Sequence, residues 1–215
     1  DPHVLADALK EHPETQLVVG IHAETSAGTL HPIAEFARLA HEAGAMFMTD
    51  VVTSLAGCEL EFDEWDLDFA YSGSQKCLAA PPGISPVALS ERGLDYIRNR
   101  PKPPTSWYLD LQLIVDYWGP DHIPHHTAPV SMIYGLREAV GMALNEGLSA
   151  RWERHAANAS ALRAGLRALN LELPVPEDER LDQLTLVRMP EGIDDVKLRN
   201  QLLDEYSIEV GRGLG

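Results

Sequence analysis

Two periodicities share the first half of the chain. Short apolar runs, "QLVVGIH" (16–22), "AMFMTD" (45–50), "DLDFAYSG" (66–73) and "SPVALS" (85–90), have the length and residue types of buried strands. Between them apolar positions fall three and four apart, as at Ile33, Phe36, Ala37 and Ala40, the spacing of one helix face. An earlier helix is predicted at about 2–11, with Asp1 as its cap and Pro2 at its first position. The stretch "AETSAGTLHP" reads as a loop. From residue 91 the pattern turns helical, interrupted by "RPKPPTSWYLD", with strong helices predicted over 129–147 and 149–170. "QLTLVRMP", "DVKLRNQLLDEY" and "SIEV" then predict a β-α-β sequence.

Strands alternating with helices predict an α/β fold: a mostly parallel sheet flanked by helices. The expected division is a large domain over 1–148 and the start of a smaller α+β domain over 149–215. Open sheets of this kind bind ligands beyond the carboxyl ends of their strands. His22, Asp50 and Ser72 each stand at or just past such an end, and Lys76 follows a few residues beyond the third.

Composition changes the picture in three ways. A net charge of −16 argues against a nucleic-acid backbone as partner, because phosphate contacts need Lys and Arg. The absence of any run of 18 or more apolar residues argues against a membrane-spanning helix. Two cysteines, Cys58 and Cys77, are too few for a disulfide framework or a zinc cage and predict a reducing, cytoplasmic setting. The chain starts without Met and stops within "SIEVGRGLG", so it reads as a fragment of a longer protein, with an organellar address left open.

The chemistry centres on "YSGSQKCLAAPPG" (71–83), which sets Lys76 in a neutral, small-residue stretch. Lys76 is either a surface loop lysine or a lysine of lowered basicity able to form a Schiff base. Asp50 is either a cap for the turn that follows or a carboxylate awaiting a cationic partner. Together they match what a pyridoxal ring requires, an acid for its nitrogen and a lysine for its aldehyde. A serine–lysine hydrolase is disfavoured, since position 73 is Gly73 and not serine. A metal site at "HIPHHT" is disfavoured because Pro124 breaks any helix there.

The lysine segment resembles that of class V pyridoxal-phosphate aminotransferases, specifically the alanine–glyoxylate and serine–pyruvate (serine–glyoxylate) branch. "HAETSAGTLHP", "FMTDVVTSLAG", "WYLD" and "HHTAPV" are similar to that branch in the same order, and Asp50 precedes Lys76 by the family's interval of 26 residues. The likeness covers residues 1 to 215.

The resemblance implies fold type I, pyridoxal 5′-phosphate as cofactor, no metal, and an obligate homodimer with its sites at the subunit interface. It implies that Lys76 carries the cofactor as a Schiff base and then moves the substrate proton, and that Asp50 pairs with the pyridinium nitrogen. Val52 then packs on a ring face, and Thr25 meets the phenolic oxygen with Ser26 close by. Gln75 touches the phosphate, Thr127 reaches the phosphate of the other subunit, and His22 supports the pocket floor. Pro124 stands where the family has a tyrosine. The phosphate cup, the stacking aromatic and the arginine for the substrate carboxylate are expected outside residues 1–215.

The implied reaction moves an amino group from a small amino acid (alanine or serine) to a small 2-oxo acid (glyoxylate or pyruvate). The alternatives are a cysteine desulfurase-like or other lyase on the same cofactor, and a non-catalytic dimerisation or binding chain.

Overall fold

Four strands make the main sheet in the computed structural model, which describes residues 1–213. Helix α1 (Pro2–Glu11) starts as the sequence predicts, with the Asp1 carboxylate accepting from the His3 amide at 2.8 Å. Then come β1 (Leu17–Ile21), the short pair β2 (Ala23–Glu24) and β3 (Thr29–Leu30), α2 (Ile33–Glu42), β4 (Met46–Asp50), β5 (Phe69–Tyr71) and β6 (Val87–Leu89). The remainder is helical: α3 (Glu91–Arg98), α4 (Leu111–Trp118), α5 (Val130–Glu146), α6 (Leu148–Ala168), a 3₁₀ turn (Glu177–Glu179) and α7 (Asp195–Tyr206).

The sheet order is β1-β4-β5-β6, with the first three strands parallel and β6 antiparallel at the edge. Ile33, Ala37 and Ala40 of α2 bury one face against Phe47, with Ala45 and Leu67 completing the cluster. The apolar spacing of α2 is thus spent on this face, and burying the Phe47 ring alone stabilises the fold by roughly 1.5–3 kcal/mol.

At the entry ends of β4 and β5 the same helix is held by a polar knot. Asp68 is fully buried and accepts from the Phe47 amide (2.8 Å), Arg92 Nε (2.5 Å) and Ser90 Oγ (3.3 Å), and His41 Nε2 lies 2.9 Å from it. Burial alone would raise the Asp68 carboxyl, but the bonds from Arg92, Phe47 and His41 outweigh it and hold the group below its ordinary value. The result is a sheet anchored at one end, which leaves the carboxyl ends of β1, β4 and β5 to carry loops.

Two expectations are corrected. The predicted loop over 23–32 contains the β2–β3 hairpin, closed by Gly28 at φ 70°. The predicted strands at "QLTLVRMP" and "SIEV" form no ladder among the described residues, although α7 forms between them. A β run needs a partner backbone, and these segments bond elsewhere: the Arg188 amide to the Glu172 carbonyl, and the Gln183 side chain to the Thr53 carbonyl.

Candidate active site

The parallel register β1–β4–β5 lines up Ile21, Asp50 and Tyr71 in one row, so three loops leave the sheet at the same edge. Asp50 ends β4, and both its oxygens are engaged. Oδ1 accepts from the Val52 amide at 2.8 Å, and Oδ2 accepts from the Tyr71 hydroxyl at 2.8 Å. Asp50 therefore caps its own turn and still presents a half-buried carboxylate, so its two sequence readings are compatible. Burial pushes the Tyr71 phenol up to about 12, helped by the bond to Asp50 and its charge, so Tyr71 stays a donor at any working pH.

The three loops are laced together. Thr25, just after β2, shares a 2.6 Å hydrogen bond with Thr53 in the loop after β4. Ser72 Oγ donates to the Val51 carbonyl at 3.3 Å, and Cys77 Sγ donates to the Thr53 carbonyl at 3.4 Å, joining the loop after β5 to the same turn. Two glycines permit the close approach. A Cβ on Gly57 would meet Cys77 Sγ at 2.6 Å, and one on Gly73 would meet Gln75 Oε1 at 2.9 Å with Val52 Cγ1 at 3.6 Å.

Lys76 sits at the outer bend of the third loop. It is exposed, and it forms no ion pair among the described residues. The bend is stiff: the Ala79 amide donates to the Lys76 carbonyl (2.9 Å), the Ala80 amide to the Ser74 carbonyl (2.9 Å) and Ser74 Oγ to the Pro81 carbonyl (2.6 Å). Thr25, Asp50, Val52, Gln75 and Lys76 are thereby gathered on one edge by the sheet and its laced loops. Thr127 is not: it is exposed on the segment entering α5, and among the described residues no hydrogen bond joins it to the other five.

His22 lies beside this edge, its amide donating to the Asp50 carbonyl at 2.9 Å. Its ring is buried at 3% exposure, edge-on to Trp65 at 5.6 Å, with Nδ1 lacking a partner among the described residues. Burial, and then the neighbouring His31, lowers it to about 4, so the ring is neutral.

The histidine segment has a different use. His125 is buried, 3.0 Å from the Trp107 carbonyl through Nε2, and its ring packs 4.1 Å from that of Trp107. No group of three or more His, Cys, Asp or Glu among the described residues is arranged to hold a metal ion. Both thiols are raised by burial, Cys58 to about 12, and Cys77 despite the nearby charges of Arg151 and Lys76. Neither is an activated nucleophile.

Sequence reasoning missed Tyr71 and Thr53 as partners of the site. Tyr71 was within reach, since placing the two strands in register sets it across from Asp50. Thr53 offered no such signal, because its bond to Thr25 crosses 28 residues between two loops.

A mostly parallel sheet with a carboxylate ending one strand and a lysine in the glycine-flanked loop after the next defines a class of protein. The chain belongs to the aminotransferase class-V family, whose model matches residues 2–214, and its fold is that of the fold type I pyridoxal-phosphate-dependent enzymes. Among its relatives, the (S)-ureidoglycine–glyoxylate transaminase of Bacillus subtilis is 35% identical over 233 residues, covering 100% of this chain and 56% of the relative. The alanine–glyoxylate aminotransferase of Callithrix jacchus is 37% identical over 213 residues, covering 97% of this chain and 51% of the relative. The crystal structure of an alanine–glyoxylate aminotransferase from Nostoc sp. superposes with a TM-score of 0.93 at 40% identity, covering 99% of this chain and 56% of that one. The chain thus spans about half the length of the relatives it matches.

Proposed function

We propose that the protein is a pyridoxal-phosphate-dependent aminotransferase that exchanges the amino group of alanine or serine with glyoxylate or pyruvate. One observation carries the reading: Asp50 and Lys76 stand on laced loops at a single sheet edge, with a half-buried carboxylate on one and, among the described residues, an unpaired amine on the other.

The side chains fit the cofactor's needs. Asp50 supplies an oriented carboxylate for the pyridine nitrogen, and Thr25 supplies a hydroxyl for the phenolic oxygen. Val52 supplies an apolar contact for a ring face, and Gln75 an amide for the phosphate. When bound, pyridoxal phosphate supplies the electron sink that lets a substrate Cα–H ionise. Lys76 would hold the cofactor through Nζ, and the same amine would serve as the general base for the substrate Cα proton. Asp50 would hold the proton at the ring nitrogen, with the Tyr71 hydroxyl and the Val52 amide fixing its two oxygens. His22, neutral and buried, supports the floor.

The same reading makes the protein a homodimer in which Thr127 contacts the phosphate of the other subunit's site. Exposed Trp107, Tyr108, Leu109 and Tyr134 near that segment support this, as large apolar side chains in one area favour an interface. Residues 1–148 would form the large domain and 149–215 the start of the smaller one. The two free thiols support a cytoplasmic setting. A desulfurase would need an activated cysteine, which neither Cys58 nor Cys77 provides.

The test is pyruvate formation from L-alanine and glyoxylate by the complete polypeptide. Lys76→Ala is expected to lower the rate by at least about a thousandfold, since anchoring and proton transfer are lost together. Ordinary turnover in that variant would refute the assignment.

A further inference from the structure

We propose that Arg151 is a positioning residue for Lys76, its guanidinium clamping the lysine loop to the turn that follows Asp50. The proposal deepens the reading of Lys76 as the cofactor's anchor and rests on it.

Arg151 lies in the first turn of α6, far from the site in sequence: 95 residues from Ala56 and 74 from Cys77. Its side chain is 14% exposed, and its donors go to three places. Nε donates to the Ala56 carbonyl at 3.0 Å, Nη2 to the Cys77 carbonyl at 2.6 Å, and Nη1 to Glu146 Oε2 at 2.9 Å. Cys77 is the residue next to Lys76, and Ala56 belongs to the turn begun by Asp50.

Each partner suits a clamp. Ala56 is held at φ 65°, a left-handed conformation that a residue with a Cβ adopts against steric resistance, and its carbonyl is the one Arg151 takes. Glu146 also binds Arg154, and the bonds from Arg154 and Arg151 hold its carboxyl down to about 2, so it remains an anion that orients the fork. A planar guanidinium can donate to two carbonyls on separate loops while a third donor is fixed behind it. A lysine, with one flexible head, cannot reproduce that arrangement. Bonds inside the lysine loop stiffen it, and Cys77 Sγ joins it to Thr53 through a weak thiol donor. Arg151 adds a charge-assisted tie between the loops, and so fixes where Lys76 stands relative to Asp50.

The experiment compares wild type, Arg151→Met and Arg151→Lys in the complete polypeptide. Without cofactor, amide hydrogen exchange at Ala79 and Ala80 reads the loop directly. Loss of a hydrogen bond to a charged group should speed it roughly ten- to hundredfold in Arg151→Met, with Arg151→Lys between, while β4 amides keep wild-type rates. With pyridoxal phosphate, borohydride-fixed labelling of Lys76 should slow, and kcat should fall about a hundredfold with KM far less changed, the signature of a misplaced reacting group. Unchanged exchange at Ala79 and Ala80 in folded Arg151→Met would overturn the clamp, whatever the cofactor does. Faster exchange with wild-type labelling and kcat would overturn its role in positioning Lys76. If wild type itself takes no label on Lys76, the anchor reading fails and the positioning role falls with it, distinguishable because the exchange arm needs no cofactor. Should Arg151→Met not fold, Arg151→Lys carries the same comparison.

Discussion

Asp50 keeps neither oxygen free of a donor, and that accounts for how a carboxylate can stand half-buried at the end of an apolar strand. The Val52 amide is a local consequence of the turn, but the Tyr71 hydroxyl comes from the neighbouring strand, 21 residues on. Tyr71→Phe is therefore expected to leave cofactor binding largely intact and to lower kcat about tenfold, the effect of losing roughly 1.5 kcal/mol of orientation on a charged group. Steady-state kinetics with KM and kcat resolved checks it, and a wild-type kcat would show that Tyr71 merely packs. Lys76 contrasts with Asp50. It is exposed and its amine is unpaired among the described residues, so the neutral stretch that makes it conspicuous in the sequence also leaves it available in the fold.

The elements divide by how local their causes are. β1, β4, β5 and β6 and the helices α1, α2, α5 and α6 were legible, because apolar period and capping residues act within a few positions. So was the gathering of Asp50 and Lys76 on one edge, which follows from parallel strands ending together. The β2–β3 hairpin escaped because two residues per strand carry no periodicity. The strands expected near residues 183–190 and 207–210 failed because an apolar run states only a preference, and among the described residues neither segment finds a strand to form a ladder with. The docking of the turn over 51–58 onto the lysine loop depends on Gly57 being opposite Cys77, a contact between distant residues that no local pattern encodes. Arg151 was invisible for the same reason.

At the scale of the whole molecule, residues from α6 onward touch each site loop. Arg151 bonds to the turn after β4 and to the lysine loop, Gln183 bonds to the Thr53 carbonyl, and the Leu181 amide donates to the Gly28 carbonyl at 3.4 Å. Loop positions are thus tied to the body of the protein and not to the sheet alone.

Acid stability is a property of this same scale. His22 is neutral in the fold, lowered to about 4 from 6.5, so the unfolded chain binds the extra proton between those values. Stability should fall as pH drops from about 6.5 towards 4, and His155, lowered by burial, adds in the same direction. Asp68 acts later: held below 3.8, it contributes above that value and loses its contribution as pH falls further. Urea unfolding at pH 7.5 and 4.5 should differ by about 2–3 kcal/mol on account of His22, and His22→Gln should shrink the difference by that amount. An equal difference in the variant would remove His22 from the account.

The most direct measurement is the visible spectrum of the complete polypeptide with pyridoxal phosphate, before and after borohydride, followed by mapping of the modified peptide. A yellow band bleached by the reductant, with the pyridoxyl group fixed on Lys76, is the predicted result. A protein that takes up the cofactor without a reducible band, or that carries the label on another lysine, would contradict it.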